Sequence, residues 1–414
     1  MDVFKIVSIL IILSAMLGYL NLRYVKLPHI IGLLVLSMIT SILFWIGSTV
    51  FQMELAVNML NVINKIDFSK VLLNVMLCFM LFAGSFHTNA TAIKKEIKSI
   101  SILAFGGTII STFLVGGLLF LTSQFLSFNI PFIYCILFGA LISPTDPIAV
   151  LGIISKSKIQ ERIKTNIIGE SLFNDGIGIV IFITVLEIID HGTDSFSMSQ
   201  TILLFLQEAV GGIALGALMG YLAFLFLKSI DSYEVEIMIT LALVTGGTFI
   251  ADYLHISGPL AMVVAGLIIG GDNLRKNVMS DSTVVYMDKF WELVDMGLNS
   301  VLFVLIGLRL ALLSFSWNLL IFGLISIFIV LLARFISIKT LAFLFKKQIV
   351  ATGKEQLLLV WCGLRGGLSL AMALSVSAMD VKEPIVFITY ATVLFSIIIQ
   401  GLTVEKLANN GSTI

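Results

Sequence analysis

Residues 317–345 read WNLLIFGLISIFIVLLARFISIKTLAFLF, and only Arg334 and Lys339 in them carry charge. A helix of about 20 apolar residues crosses a bilayer. In lipid the backbone must satisfy its own polar groups, which leaves helices or closed barrels as spanning structures. Similar runs recur along all 414 residues, of which 58% are hydrophobic and 12% charged. Soluble domains carry roughly 25% charged residues. The two-residue alternation of a barrel strand is missing. The chain therefore reads as an all-α polytopic membrane protein.

Hydropathy places thirteen spans at 4–20, 29–47, 69–87, 98–124, 131–154, 163–189, 200–228, 234–254, 256–271, 288–310, 315–346, 354–379 and 384–404. The stretch 51–65, FQMELAVNMLNVINK, is too polar to span and reads as an interfacial helix. No small-residue cleavage site follows the first run, and Arg23 and Lys26 do, so that run reads as a retained span. Loops after odd-numbered spans, with the tail, hold seventeen Lys and Arg residues; the other face holds Lys5, Lys65, Lys70, Arg309 and Lys382. The positive-inside rule then sets the N-terminus outside and the C-terminus in the cytoplasm of a cell (inner) membrane. A net charge of zero gives no reason to expect nucleic acid, so lipid is the expected surrounding partner. Cys78, Cys135 and Cys362 sit inside apolar runs and read as small packing residues.

Two spans are interrupted. Span 5 contains ALISPTDPIAVLG with Pro144 and Pro147 at its middle, and span 12 contains WCGLRGGLSLAMA with Gly363, Gly366 and Gly367. Proline removes a backbone donor and glycine lowers the cost of unwinding. Each is the second of a triplet, 4–5–6 and 11–12–13, and the triplets lie an odd number of spans apart. Inverted repeats with two unwound crossing helices, spans 5 and 12, mark a transporter site near the membrane midplane.

Charge reaches mid-depth at the same places: Asp146 on span 5, Glu170 and Asp175 on span 6, Arg334 on span 11 and Arg365 on span 12. An ion at the bilayer centre costs at least about 2.5–3.5 kcal/mol, so these side chains pair or line a water-filled path. Ser171 and Asp175 are four apart and share a helix face; Glu170 and Asn174 share the adjoining one. A hydroxyl and a carboxylate are hard oxygen ligands for an alkali cation or a proton. The loosened backbone at Thr145 adds carbonyl oxygens, and Asn174 is placed to tie its amide to that backbone.

Arginine stays protonated, so Arg365 needs a permanent partner, and Glu170 is assigned to it as a structural ion pair. Asp175 is then free to hold either one proton or one monovalent cation, with Ser171 and Thr145 as its neighbours at the ion. Asp146 is read equally as part of the ion path or as an acceptor for loosened backbone amides. Arg334 is expected to compensate Asp146 or a helix end. Glu187, Glu208, Asp252, Glu292 and Asp295 fall near span ends, where a hydrated edge is the expected setting. No Walker lysine, G-x-S-x-G elbow or H-E-x-x-H cluster is present, which argues against an enzyme or an ATP-driven pump. A cation channel, or a proton-coupled transporter of a small organic substrate, would use similar acids.

GESLFNDGIGIVIF at 169–182, LISPTDPIAV at 141–150 and GLRGGLSLAMALS at 363–375 resemble the monovalent cation:proton antiporter family that includes bacterial NhaP-type and animal Na⁺/H⁺ exchangers. SGPLAMVVAGLIIG at 257–270 and NSVLFVLIGL at 299–308 are also similar to it. The resemblance implies a homodimer without cofactor, moving Na⁺, Li⁺ or K⁺ against H⁺ by elevator-like alternating access. It implies dimerisation helices in 1–97 and 234–314, core helices in 98–189 and 315–414, and a linker helix in 190–233. It implies the ion- and proton-binding role for Asp175, the neighbouring roles for Ser171, Thr145 and Asn174, and the pair Glu170–Arg365. Related electrogenic exchangers carry two aspartates where this chain has Asn174–Asp175, so the resemblance implies electroneutral 1:1 exchange. Several members have an acid where this chain has Ala83, which leaves the choice among Na⁺, K⁺ and Li⁺ open. The short tail implies no soluble regulatory domain.

Overall fold

A computed structural model describes residues 3–54, 57, 69, 72–146, 159–191, 198–271, 275, 279–349 and 352–410. Among the described residues all regular structure is helical. The chain runs through α1 (Val3–Leu20), α2 (His29–Thr49), α3 (Leu77–Phe86), α4 (Ala90–Phe125), α5 (Phe132–Ile142), α6 (Glu161–His191), α7 (Met198–Lys228), α8 (Tyr233–Tyr253) and α9 (Gly258–Ile269). It continues through α10 (Asp281–Leu308), α11 (Trp317–Leu344), α12 (Gly353–Trp361), α13 (Gly367–Ser375), α14 (Met379–Phe395) and α15 (Gly401–Asn410). Nine helices among the described residues are long and apolar enough to cross a membrane, and α3, α5 and α9 are shorter apolar helices. The interfacial helix expected at 51–65 falls almost wholly outside the described residues, as does the second half of span 5.

α4 and α10 start seven or eight residues earlier than hydropathy places them, because capping outlasts apolarity. The Asn89 side chain accepts from the Ala92 amide, so α4 begins in the polar turn that carries Lys94, Lys95 and Lys98. Ser280 likewise accepts from the Thr283 amide and extends α10 to Asp281.

The inner faces of α5, α10, α11, α13 and α14 meet in one core that holds Phe138, Phe303, Phe322, Leu370 and Ile388. A second core joins α3, α8, α9 and α10 around Trp291, whose ring lies 4.6 Å from that of Phe82 and whose Nε1 donates to Thr240 Oγ1 at 3.1 Å. Large apolar side chains point outward as well: Phe226, Phe249 and Phe328 are each at least 60% exposed. On a water-soluble protein such a surface would aggregate; against lipid it is the matching one.

Candidate ion-binding site

The site forms where two helices stop. α5 ends at Ile142 and residues 143–146 are non-helical; α12 ends at Trp361 and α13 begins at Gly367. The two open segments touch, with the Asp146 amide donating to the Leu364 carbonyl at 2.8 Å. Glycine permits the approach. A Cβ on Gly366 would collide with the Asp146 carboxylate, and one on Gly178 of α6 with the Pro144 ring. The Asp146 carboxylate thus sits at the N-cap of α13, where the helix dipole favours negative charge.

Helix α6 pins the first break. Asn174 Oδ1 accepts from the Thr145 amide at 3.1 Å, its Nδ2 donates to Thr145 Oγ1 at 2.8 Å, and Ser171 Oγ lies 2.9 Å from the same hydroxyl. All three side chains are buried. Replacing Asn174 by Ala should remove two of these bonds and leave a buried amide unsatisfied. The expected loss is about 1–3 kcal/mol, read as a lower melting temperature in detergent. An unchanged melting curve would show that the clamp carries no weight.

The arginines are arranged differently from the sequence-based pairing. Glu170 is ion-paired with Nη1 of Arg334 on α11, both side chains being at most 5% exposed; it is not the partner of Arg365. Arg334 Nη2 also donates to the Leu359 carbonyl in the last turn of α12 at 3.3 Å. Arg365 Nη1 instead donates to the carbonyls of Ser143 and, at 2.8 Å, Pro144, just past the end of α5. Its own amide is held by Ser396 Oγ at 2.8 Å, and Ser396 in turn donates to Gln400.

The reason is geometric. Glu170 lies five residues before Asp175, about 140° around the helix and about 7.5 Å along it. It therefore faces α11 and not the break. Arg365 finds its negative partner in the partial charge of a helix C-terminus, a possibility that counting carboxylates overlooks. Each interrupted segment ends in carbonyls capped by one arginine.

Asp175 differs from its neighbours. It is 9% exposed, and among the described residues it has neither a hydrogen-bond partner nor an ion pair. It lines a cavity of about 280 Å³ together with Asp146, Pro144, Gly366 and Leu302. Ser171, Thr145 and Asn174 form the layer behind this wall. The cavity reaches Gly84, His87 and Thr88 at the end of α3.

Asp295, expected near a span end, also lines it. Asn299 Nδ2 donates to both the carbonyl and Oδ1 of Asp295, at 2.9 Å each. The four-residue spacing of Asp295 and Asn299, inside a helix that continues into NSVLFVLIGL, was the available signal.

Fold and site together define an α-helical membrane protein of the transporter class. The sequence profile of the family described as "Sodium/hydrogen exchanger, transmembrane" matches residues 11–410. The chain is 43% identical over 407 residues to the Na(+)/H(+) antiporter NhaP of Pseudomonas aeruginosa, covering 97% of this chain and 95% of that protein. It is 36% identical over 318 residues, 75% of each chain, to the Na(+)/H(+) antiporter NhaH of Halobacillus aidingensis. The chain belongs to the sodium/hydrogen exchanger family. Its fold matches that of the sodium proton antiporter MjNhaP1 from Methanocaldococcus jannaschii at pH 8, with a TM-score of 0.76 over 99% of both chains at 22% identity.

Proposed function

We propose that this chain exchanges one monovalent cation, Na⁺ or Li⁺ with K⁺ as a further candidate, for one proton across a cell membrane, with Asp175 as the group both ions compete for. The observation that carries this reading is the isolation of Asp175. It is a buried carboxylate on a cavity wall, without a hydrogen-bond or ion-pair partner among the described residues, while Glu170 pairs with Arg334 and Arg365 donates to the carbonyls past the end of α5. A carboxylate in that position is stable when it holds a proton or a cation and costly when it holds neither. Crossing only in an occupied state makes the exchange obligatory, and one charge for one charge makes it electroneutral. Asp146 supplies a further carboxylate on the same cavity wall, and the Thr145–Ser171 hydroxyl pair lies in the layer behind it.

The contact between the two interrupted segments supports reading spans 5 and 12 as crossing broken helices of inverted repeats within a thirteen-span fold. The core would comprise helices of 98–189 and 315–414, moving against dimerisation helices of 1–97 and 234–314 in a homodimer, with 190–233 as linker. With the N-terminus outside and the C-terminus in the cytoplasm, the end of α3 and the cavity mouth at His87 face the cytoplasm.

One shared site has a measurable signature in everted vesicles. As pH falls, protons displace the cation, so the apparent half-saturation constant for the cation should rise, approaching about tenfold per pH unit, while the saturating rate changes less. The rate should not respond to an imposed membrane potential. Titrating Na⁺, Li⁺ and K⁺ in turn at several pH values checks both points and identifies the cation. A cation constant independent of pH would overturn the shared site, and a voltage-dependent rate would overturn 1:1 exchange.

A further inference from the structure

The acids of α10 follow one face of the helix. Asp288, Glu292 and Asp295 are spaced by four and then three residues, and Asn299 continues the line four further on. The face climbs about 10 Å from Asp288 to Asp295. Its lower part borders an outer pocket of about 460 Å³ lined by His87, Val285, Asp288, Lys289 and Glu292. Its upper part, at Asp295, borders the cavity that holds Asp175. His87 lines both spaces, so the two adjoin there.

Protein cations neutralise the outer acids. Arg275 grips Asp288 with two hydrogen bonds, of 2.7 and 3.1 Å, and His87 Nδ1 stands 3.7 Å from the same carboxylate. Lys289 pairs with Glu292 at 2.8 Å. Asp295 has no Lys, Arg or His within 4.0 Å among the described residues; its one side-chain partner there is the Asn299 amide on Oδ1. Moving inward along the route, it is the first carboxylate without a protein cation. It stands on α10 and lines the same cavity as Asp175 on α6 and Asp146 past the end of α5.

We propose that Asp295 is a staging carboxylate for the exchanged monovalent cation, holding it in the cavity before transfer to Asp175. Its oxygen donor is of the hard type such a cation takes. An unneutralised acid in a walled cavity concentrates counter-ions at the site it faces. Asn299 orients the carboxylate by occupying Oδ1, which leaves Oδ2 for the ion. This role rests on the antiporter reading and adds a property to it. Asp295 belongs to the helices against which the core moves, so it serves Asp175 only while the cavity is open toward His87. Its influence is confined to one face of the membrane.

The test compares Asp295→Asn, Asp295→Glu and Asn299→Ala with the unaltered chain, in everted and in right-side-out vesicles. The cation is whichever of Na⁺, Li⁺ and K⁺ the unaltered chain exchanges. Asp295→Asn is expected to raise the half-saturation constant on the face served by His87 by roughly three- to tenfold, with the saturating rate falling far less. The constant on the opposite face should stay put. Asp295→Glu should restore most of the affinity, and Asn299→Ala should give a smaller change on the same face. Equal changes on both faces, or none on either, would overturn the proposal, as would failure of Asp295→Glu to restore affinity. The antiport reading itself is tested separately by the unaltered chain, whose inactivity with all three cations would overturn that reading and this inference with it.

Discussion

Asp175→Asn should reduce cation-dependent dissipation of a pH gradient in everted vesicles to background, in a protein that still inserts, purifies and melts like the parent. The amide keeps the volume and removes the charge. An amide cannot exchange a proton at physiological pH, and as a neutral ligand it holds an alkali cation far more weakly than a carboxylate does. Little structural penalty is expected, because Asp175 faces the cavity and supports no neighbour among the described residues. Removing an unpaired buried charge should leave the fold at least as stable. Folded but inactive protein is therefore the expected pair of observations, read from fluorescence quenching in vesicles and from thermal melting in detergent. Sustained antiport by this variant would move the ion site away from α6.

The second large effect concerns stability. Glu170→Ala should strand Arg334 inside the protein, where its remaining described partner is the Leu359 carbonyl at 3.3 Å. Breaking a buried pair from one side costs about 3–5 kcal/mol, enough to collapse expression or to shift melting strongly downward. Replacing Arg334 by Met in the same chain should recover much of that loss, because two apolar groups leave no uncompensated charge. A double-mutant cycle distinguishes this pairing from the one expected from the sequence. Glu170 and Arg334 should show a large coupling, whereas Glu170 and Arg365, which make no direct contact, should show a much smaller one. Strong coupling of Glu170 to Arg365 would return the carboxylate to the break. Arg365 variants should instead weaken the hold on the carbonyls of Ser143 and Pro144.

Much of the site was legible because helix phase is local. Ser171 and Asp175, or Glu170 and Asn174, share a face in any α-helix, whatever surrounds it. Pro144 and the glycines of 363–367 point to the non-helical stretches 143–146 and 362–366 for an equally local reason, since they remove donors or lower the cost of unwinding. The tie from Asn174 to the backbone at Thr145 needed only one further assumption, that the break and α6 lie side by side. The place of Asp295 at the cavity was not legible, because hydropathy starts α10 at 288, whereas capping by Ser280 starts it at Asp281 and puts Asp295 near the middle of the helix.

By itself, the sequence determined the class of protein and which polar residues of α6 share a face. Those follow from hydrophobic transfer, backbone satisfaction in lipid and the 3.6-residue period, all set within a few turns of chain. Only the tertiary structure decided which arginine meets Glu170, that Arg365 donates to helix-end carbonyls, and that α10 brings Asp295 to the cavity of Asp175. These pairings join residues separated by between 120 and 222 positions, for example Glu170 with Arg334 at 164. At such separations local periodicity carries no phase, and the partner is chosen by how the helices pack.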